Sequence, residues 1–166
     1  MGNTSSGTND VVTNALDKYA DMVRRICYIY LRSQADVEDI FQNVFLKLLQ
    51  HTDKFENEEH EKAWLCRVSI NQCKDFQKSF FRKNVRSIDD VDLLYEDEVE
   101  NEVMREVLSL PPKYKDVIYL FYYEGYTVPE IAKLLGKKEN TVYSHLHRAK
   151  AILKEKLGGF EHGNFF

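Results

Sequence analysis

Between Asp36 and Leu48 the apolar residues fall at Val37, Ile40, Phe41, Val44, Phe45 and Leu48, steps of three and four that an α-helix gathers on one face. The same period runs through most of the chain. Asn14 to Arg32 carries Leu16, Tyr19, Ala20, Val23, Ile26, Cys27 and Tyr30, which predicts a first helix. Asp36 is a good N-cap for the second. A polar, patternless stretch from His51 to Glu61 reads as a loop. A third helix is predicted from about Lys62 to Phe81, with Trp64, Leu65, Val68 and Phe76 among its apolar positions. Three such helices can close one small bundle. The chain has only 7 Gly and 3 Pro in 166 residues, with 43% hydrophobic and 30% charged residues, as a folded, helix-rich chain should. The fold class expected is all-α.

Helical periodicity resumes with Val99, Val103, Met104 and Val107 and stops at Leu110-Pro111-Pro112, because a residue before proline avoids the helical region. A helix starting near Pro112 is expected to bury Val117, Ile118 and Phe121 and to end at Gly125. Thr127-Val128-Pro129-Glu130 has the form of a capping box. Val128, Ile131, Ala132 and Leu135 make the buried face of the helix it opens, and Gly136 supplies its stop. The last helix is predicted over about Asn140 to Leu157, with Val142, Leu146, Ala149 and Leu153 inward. The organisation read from these patterns is a disordered leader (1–13), a helical domain (14–86), an acidic linker (87–102), a second helical domain (103–157) and a tail (158–166).

The net charge of −4 is unevenly spread. Lys74, Lys78, Arg82, Lys83 and Arg86 face one acid, Asp75, whereas the stretch from Asp89 to Glu106 holds Asp89, Asp90, Asp92, Glu96, Asp97, Glu98, Glu100, Glu102 and Glu106 against Arg105. A second basic stretch contains Lys137, Lys138, Arg148, Lys150, Lys154 and Lys156. Two basic patches around an acidic segment fit two nucleic-acid-facing surfaces, and fit equally well two solvated helix faces with a solubilising tether.

Other functions find little support. No apolar run approaches the roughly 20 residues of a membrane span, and Met1–Asp10 lacks the pattern of a secretion signal. Met1-Gly2-Asn3-Thr4-Ser5-Ser6 fits the myristoylation pattern, but no second anchoring signal lies nearby. Cys27, Cys66 and Cys73 are odd in number and contain no CxxC, which favours reduced thiols. Cys66 and Cys73 are seven residues apart in one predicted helix, roughly 10 Å, too far for a disulfide. His145 and His147, two apart, do not share a helix face, so no metal site is expected. The chain has no Gly-rich phosphate loop, HExxH or nucleophile elbow. The expectation is a cytoplasmic protein that is not an enzyme, with no cofactor and no small-molecule substrate.

The strongest local signal is the pair of helices around Gly136, which has the form of a helix-turn-helix whose second helix enters the DNA major groove. Thr141, Tyr143, Ser144, His147, Arg148 and Lys150 point outward from it, a mixture able to read base edges and phosphates. Leu108-Ser109-Leu110-Pro111, Val117-Ile118, Gly125-Tyr126-Thr127, Glu130 to Gly136 and Thr141 to Lys150 together resemble region four of RNA polymerase sigma factors. Ala35 to Leu48 resembles sigma region two at the helix that grips the polymerase clamp. Phe55, Ala63-Trp64-Leu65, Arg67-Val68 and Ile70-Asn71 resemble its section that recognises and melts the −10 element. Both halves occur in order over about 16–157, and the short linker resembles that of the extracytoplasmic-function group.

The resemblance implies a region 2 bundle of three to four helices joined by the acidic linker to a region 4 helix-turn-helix, and a chain that binds core RNA polymerase and promoter DNA. It implies polymerase contacts at Glu38, Asp39, Gln42 and Asn43. It implies −10 contacts at Phe55, Glu56, Asn57, His60, Trp64, Asn71, Lys74, Lys78, Arg82 and Lys83, and −35 contacts at Lys137, Lys138, Thr141, Tyr143, Ser144, His147, Arg148 and Lys150. An anti-sigma partner is a further implication, as is a linker lying in the polymerase RNA path. Read from the residues alone, Trp64 fits a core anchor better than a DNA contact, Asn71 has a surface or capping role as its alternative, and the linker is equally a solvated tether. The chain departs from the family at Asn43, commonly Glu, at Lys138, often a Ser cap, and at Tyr143 and His145, usually basic. Its rivals are a stand-alone DNA-binding regulator and a sigma-like interaction module.

Overall fold

The computed structural model describes residues 4–51, 55–83 and 102–158, and every regular element among them is helical. The helices form two compact units. The first contains α1 (Thr4–Tyr30), α2 (Gln34–Leu49) and α3 (Glu58–Lys83). The second contains α4 (Glu102–Ser109), α5 (Pro112–Ile118), α6 (Val128–Leu135) and α7 (Glu139–Lys156). Residues 84–101 and 159–166 lie outside the described residues, and with them all but Glu102 of the expected linker (87–102) and all but Gly158 of the expected tail (158–166).

In the first unit α2 turns back along α1 through Leu31–Ser33. Ser33, not Asp36, is its N-cap: the Ser33 hydroxyl accepts from the Asp36 N–H at 3.4 Å. Asp36 sits in the first turn, where its negative charge complements the helix dipole. The apolar stripe read for α2 is buried at all six positions. The third helix runs parallel to the first, as the contacts along it show. Lys18 pairs with Glu58, the Tyr19 hydroxyl donates to the Glu58 carbonyl at 3.3 Å, Cys66 Sγ lies 3.6 Å from Met22 Sδ, and Gln77 Nε2 donates to the Tyr30 carbonyl at 2.6 Å. Between these contacts Val23, Ile26, Val37, Val44, Leu48, Leu65 and Ile70 are fully buried, each contributing about 1.5–3 kcal/mol relative to exposure. The buried seam of α3 is Leu65, Cys66, Ser69, Ile70 and Cys73. Ser69 satisfies its hydroxyl by donating to the Leu65 carbonyl at 2.7 Å. Contact with the Cys27 thiol, reinforced by burial, pushes the Cys73 thiol far up, so Cys73 stays protonated.

Two boundaries differ from expectation. The first helix begins at Thr4 rather than near Asn14, so the stretch read as a structureless leader is helical from Thr4 onward. The third begins at Glu58, because Asn57 Oδ1 accepts from the His60 N–H at 2.8 Å, an N-cap contact, ahead of Glu58, Glu59 and Glu61 in the first turn.

In the second unit Pro111 precedes α5, and beyond it Tyr119–Tyr123 widen into a π-turn, with Glu124 N–H bonded to the Tyr119 carbonyl at 3.2 Å. Gly125 then adopts φ 72°, a left-handed value that favours glycine. The capping box forms as expected. Thr127 N–H donates to Glu130 Oε2 at 2.8 Å, and Glu130 N–H donates back to Thr127 Oγ1 at 3.4 Å. Gly136 ends α6 at φ 63°, and the Lys137 N–H caps the Ala132 carbonyl at 2.9 Å. Val142, Leu146, Ala149 and Leu153 are buried, as read from the sequence. Phe121 is half-buried rather than buried, and Leu134, not Leu135, faces the core. Lys156 fastens the end of α7 to α4 through Glu106 at 3.4 Å and the Ser109 hydroxyl at 2.7 Å.

Candidate polymerase and nucleic-acid interfaces

The inward stripe of α2 leaves Asp39, Gln42 and Asn43 exposed on the other side of the helix. Leu46, 55% exposed, and Leu49 continue that surface with apolar side chains that the sequence reading missed. Glu38 is drawn away from it. Arg24 on α1 reaches Glu38 Oε1 at 3.3 Å while its guanidinium lies 4.2 Å over the Phe41 ring. Glu38 therefore ties α2 to α1.

The segment before α3 folds into an aromatic cluster. Trp64 is half-buried, with its ring 5.4 Å from Phe55 and 5.4 Å from His51, and Phe55 meets His60 edge-on at 5.5 Å. Glu56 N–H donates to His60 Nδ1 at 3.3 Å. Asn57 and His60 thus build the loop itself, while Glu56 is exposed. Farther along α3, Asn71, Lys74, Lys78 and Arg82 recur at three- and four-residue steps on one face, a track roughly 16 Å long; Asn71, Lys78 and Arg82 are exposed and Lys74 half-buried. Lys83 is the last residue of the helix. Phe76 and Phe80 stack 6.3 Å apart on the same helix, with Phe80 exposed.

The residues on and before α7 divide sharply. Tyr143, Ser144, His147 and Arg148 are exposed and Thr141 is half-buried. Lys138 is exposed at the N-cap position without a side-chain capping bond. Two expected DNA contacts are turned inward. Lys137 lies 4.0 Å from Asp116 Oδ2, a carboxylate only 3% exposed whose other oxygen accepts from the Val117 N–H at 2.7 Å. Lys150 sits over the rings of Phe121 and Tyr122, at 5.8 and 5.5 Å, within cation–π range. His145 is half-buried against the edge of Tyr114, ring centroids 5.5 Å apart. Its Nδ1 is buried and without a hydrogen-bond partner among the described residues. Burial, then the nearby Lys137, holds its imidazole below the usual range. Burial raises the Tyr114 phenol, but hydrogen bonds with Arg148 and Lys113 outweigh it and leave it lowered. Nothing in the helical period signalled Asp116, because a carboxylate on a buried helix face reads as a break in the stripe. Among the described residues no group of His, Cys, Asp and Glu side chains could hold a metal, and no helix is long and apolar enough to cross a membrane.

Residues 15–86 match the family Sigma-70 region 2, and residues 100–153 match Sigma-70, region 4. RNA polymerase sigma factor SigV of Bacillus subtilis is 29% identical over 153 residues, covering 89% of this chain and 90% of the relative. ECF RNA polymerase sigma factor SigW of the same species is 26% identical over 170 residues, 91% of each. The chain belongs to the ECF group of RNA polymerase sigma factors. It is a factor that directs transcription initiation from promoters, with most of the α1–α3 unit inside the region 2 match and most of α4–α7 inside the region 4 match. Two solved structures share the sigma-factor fold at low identity. The sigma factor RpoE in complex with the anti-sigma factor NepR, from Bartonella quintana, has a TM-score of 0.68 at 19% identity, over 88% of this chain and 96% of that one. CnrH in complex with the cytosolic domain of CnrY has 0.63 at 22%, over 93% and 92%.

Proposed function

We propose that the promoter-directing activity is divided between the two units. Asp39, Gln42 and Asn43 on α2 engage core polymerase, with Leu46 adding apolar contact. The cluster of Phe55, Glu56, Asn57, His60 and Trp64 and the track Asn71, Lys74, Lys78, Arg82 and Lys83 handle the −10 element. A cationic track beside aromatic rings suits separated strands, whose phosphates need neutralising and whose bases need stacking partners. Lys138, Thr141, Tyr143, Ser144, His147 and Arg148 read the −35 element, while Lys137 and Lys150 support that surface from behind. The observation that carries this reading is the clean split of α7: four apolar side chains buried and four chemically diverse ones, Tyr143, Ser144, His147 and Arg148, exposed.

On this reading the protein has no catalytic chemistry of its own and acts in the cytoplasm beside the polymerase. The two domains are the α1–α3 and α4–α7 units, with the acidic linker between them. The two solved neighbours were each captured in a complex, which supports an anti-sigma protein as a further partner of this chain. Run-off transcription with core polymerase over a library of promoter fragments tests the division. Simultaneous Asp39→Ala and Gln42→Ala should abolish core association in pull-down and leave the melting temperature unchanged. Unchanged core binding by that variant would remove α2 from the polymerase interface.

A further inference from the structure

On the exposed face of α7 the largest side chain is apolar. Tyr143 is the fifth residue of the helix and 58% exposed. It lies one turn before His147 in the same row. Its ring sits where a helix-turn-helix brings the N-terminal part of its second helix to base edges. Two of the cations that would turn this surface into a phosphate grip are engaged elsewhere: Lys137 is held at Asp116 and Lys150 lies over Phe121 and Tyr122. What remains around the ring is Thr141, Ser144 and His147, with Arg148 one turn beyond Ser144 and the exposed Lys138 ahead of the helix.

An exposed aromatic ring gains most from apolar contact, and the major groove offers one apolar feature, the 5-methyl group of thymine. We propose that Tyr143 is a specificity residue that selects a thymine in the −35 element by packing its ring on that methyl, with Arg148 supplying the polar contact beside it. The assignment rests on the reading of α7 as the −35 helix. It adds a base identity to that reading. It also separates the ring from the hydroxyl: methyl recognition uses the face or edge of the ring and does not need the phenol oxygen.

The test uses holoenzyme assembled from core polymerase and the full chain, and promoter fragments selected from a pool randomised over the −35 element. At each selected thymine the base is replaced by deoxyuracil, which lacks the methyl and keeps every hydrogen-bonding group. Parent holoenzyme should bind one such promoter about four-fold more weakly, the factor that burial of one methyl-sized group is worth. Tyr143→Phe should show the same loss, and Tyr143→Ala should bind thymine and uracil promoters alike while still selecting the rest of the −35 element. Melting temperatures of the exposed-site variants should match the parent, so a loss is read as recognition. Two results overturn the assignment alone: a selected −35 element in which no uracil substitution matters, or a Tyr143→Phe variant as impaired as Tyr143→Ala, which would give the contact to the hydroxyl. Selection that returns no −35 preference at all would overturn the −35 reading of α7 and this assignment with it.

Discussion

His145 and Lys137 show how side chains that read as DNA ligands in a sequence become part of a core. The imidazole is wedged against Tyr114 and faces Lys113, Tyr114 and Asp116 from α5, Lys137 from the turn and Arg148 from its own helix. Its folded-state pKa lies below that of an unfolded histidine, so the unfolded chain binds more protons as the solution turns acidic. The stability tied to the neutral ring is complete above about pH 6.5 and falls as pH drops below it. Thermal melts between pH 8 and pH 5 should show the second unit losing stability over that window, with a shallower slope in His145→Gln; equal slopes would detach the ring from the effect. Lys137 gives a complementary expectation. Removing it takes one cation away from the buried Asp116 carboxylate, so Lys137→Met should destabilise the unit by roughly 1–3 kcal/mol, and Asp116→Asn in the same chain should recover most of the loss. A direct DNA contact at Lys137 would instead leave the melting temperature unchanged and weaken promoter binding.

At the scale of elements, the helix ends and faces differ in how openly the sequence announces them. Thr127→Ala removes the hydroxyl arm of the capping box, leaves the Thr127 N–H bond to Glu130 in place, and should cost about 1 kcal/mol. Leu146→Ala should cost roughly 2–4 kcal/mol, against a change within about 0.5 kcal/mol for Ser144→Ala; urea denaturation of the three variants checks the order. The α2 stripe, the α6 cap, the Gly136 stop and the inward face of α7 could all be read beforehand, because bulky aliphatic side chains and a glycine at positive φ leave strong marks. The seam of α3 could be read only at Leu65. Its buried positions hold Cys66, Ser69 and Cys73, small side chains that score weakly as apolar, while Trp64, Val68 and Phe76 sit half-buried beside the seam. The start of α3 was missed although Asn57 and the acids after it marked it, since polar residues in a first turn look like those of a loop. In α6 two adjacent leucines offered no way to tell which faces inward. The inward turn of Lys137 and Lys150 depends on partners in α5 and the π-turn, and no local pattern carries that information.

For the whole molecule, net charge −4 and a −35 face with two of its cations turned inward set the expectation for free protein. Duplex affinity depends on neutralising phosphates and releasing counterions, so the isolated chain should bind promoter duplex weakly at physiological salt, and the complex with core should bind and open it. Mobility-shift assays with and without core measure this; tight, sequence-specific binding by the chain alone would make it a stand-alone regulator. A last consequence follows from where the rare side chains sit. All 3 cysteines of the chain, and its single tryptophan, belong to the first unit, and each thiol is wholly shielded from solvent. A thiol-labelling reagent must therefore wait for that bundle to open, and the wait is a clock that the helix-turn-helix unit cannot influence chemically. Read together with Trp64 fluorescence, the clock reports one half of the protein in an unlabelled, unmutated chain. A partner that docks on the three-helix bundle alone should slow it by mass action, and one that docks only on the other half should leave it running at its own pace.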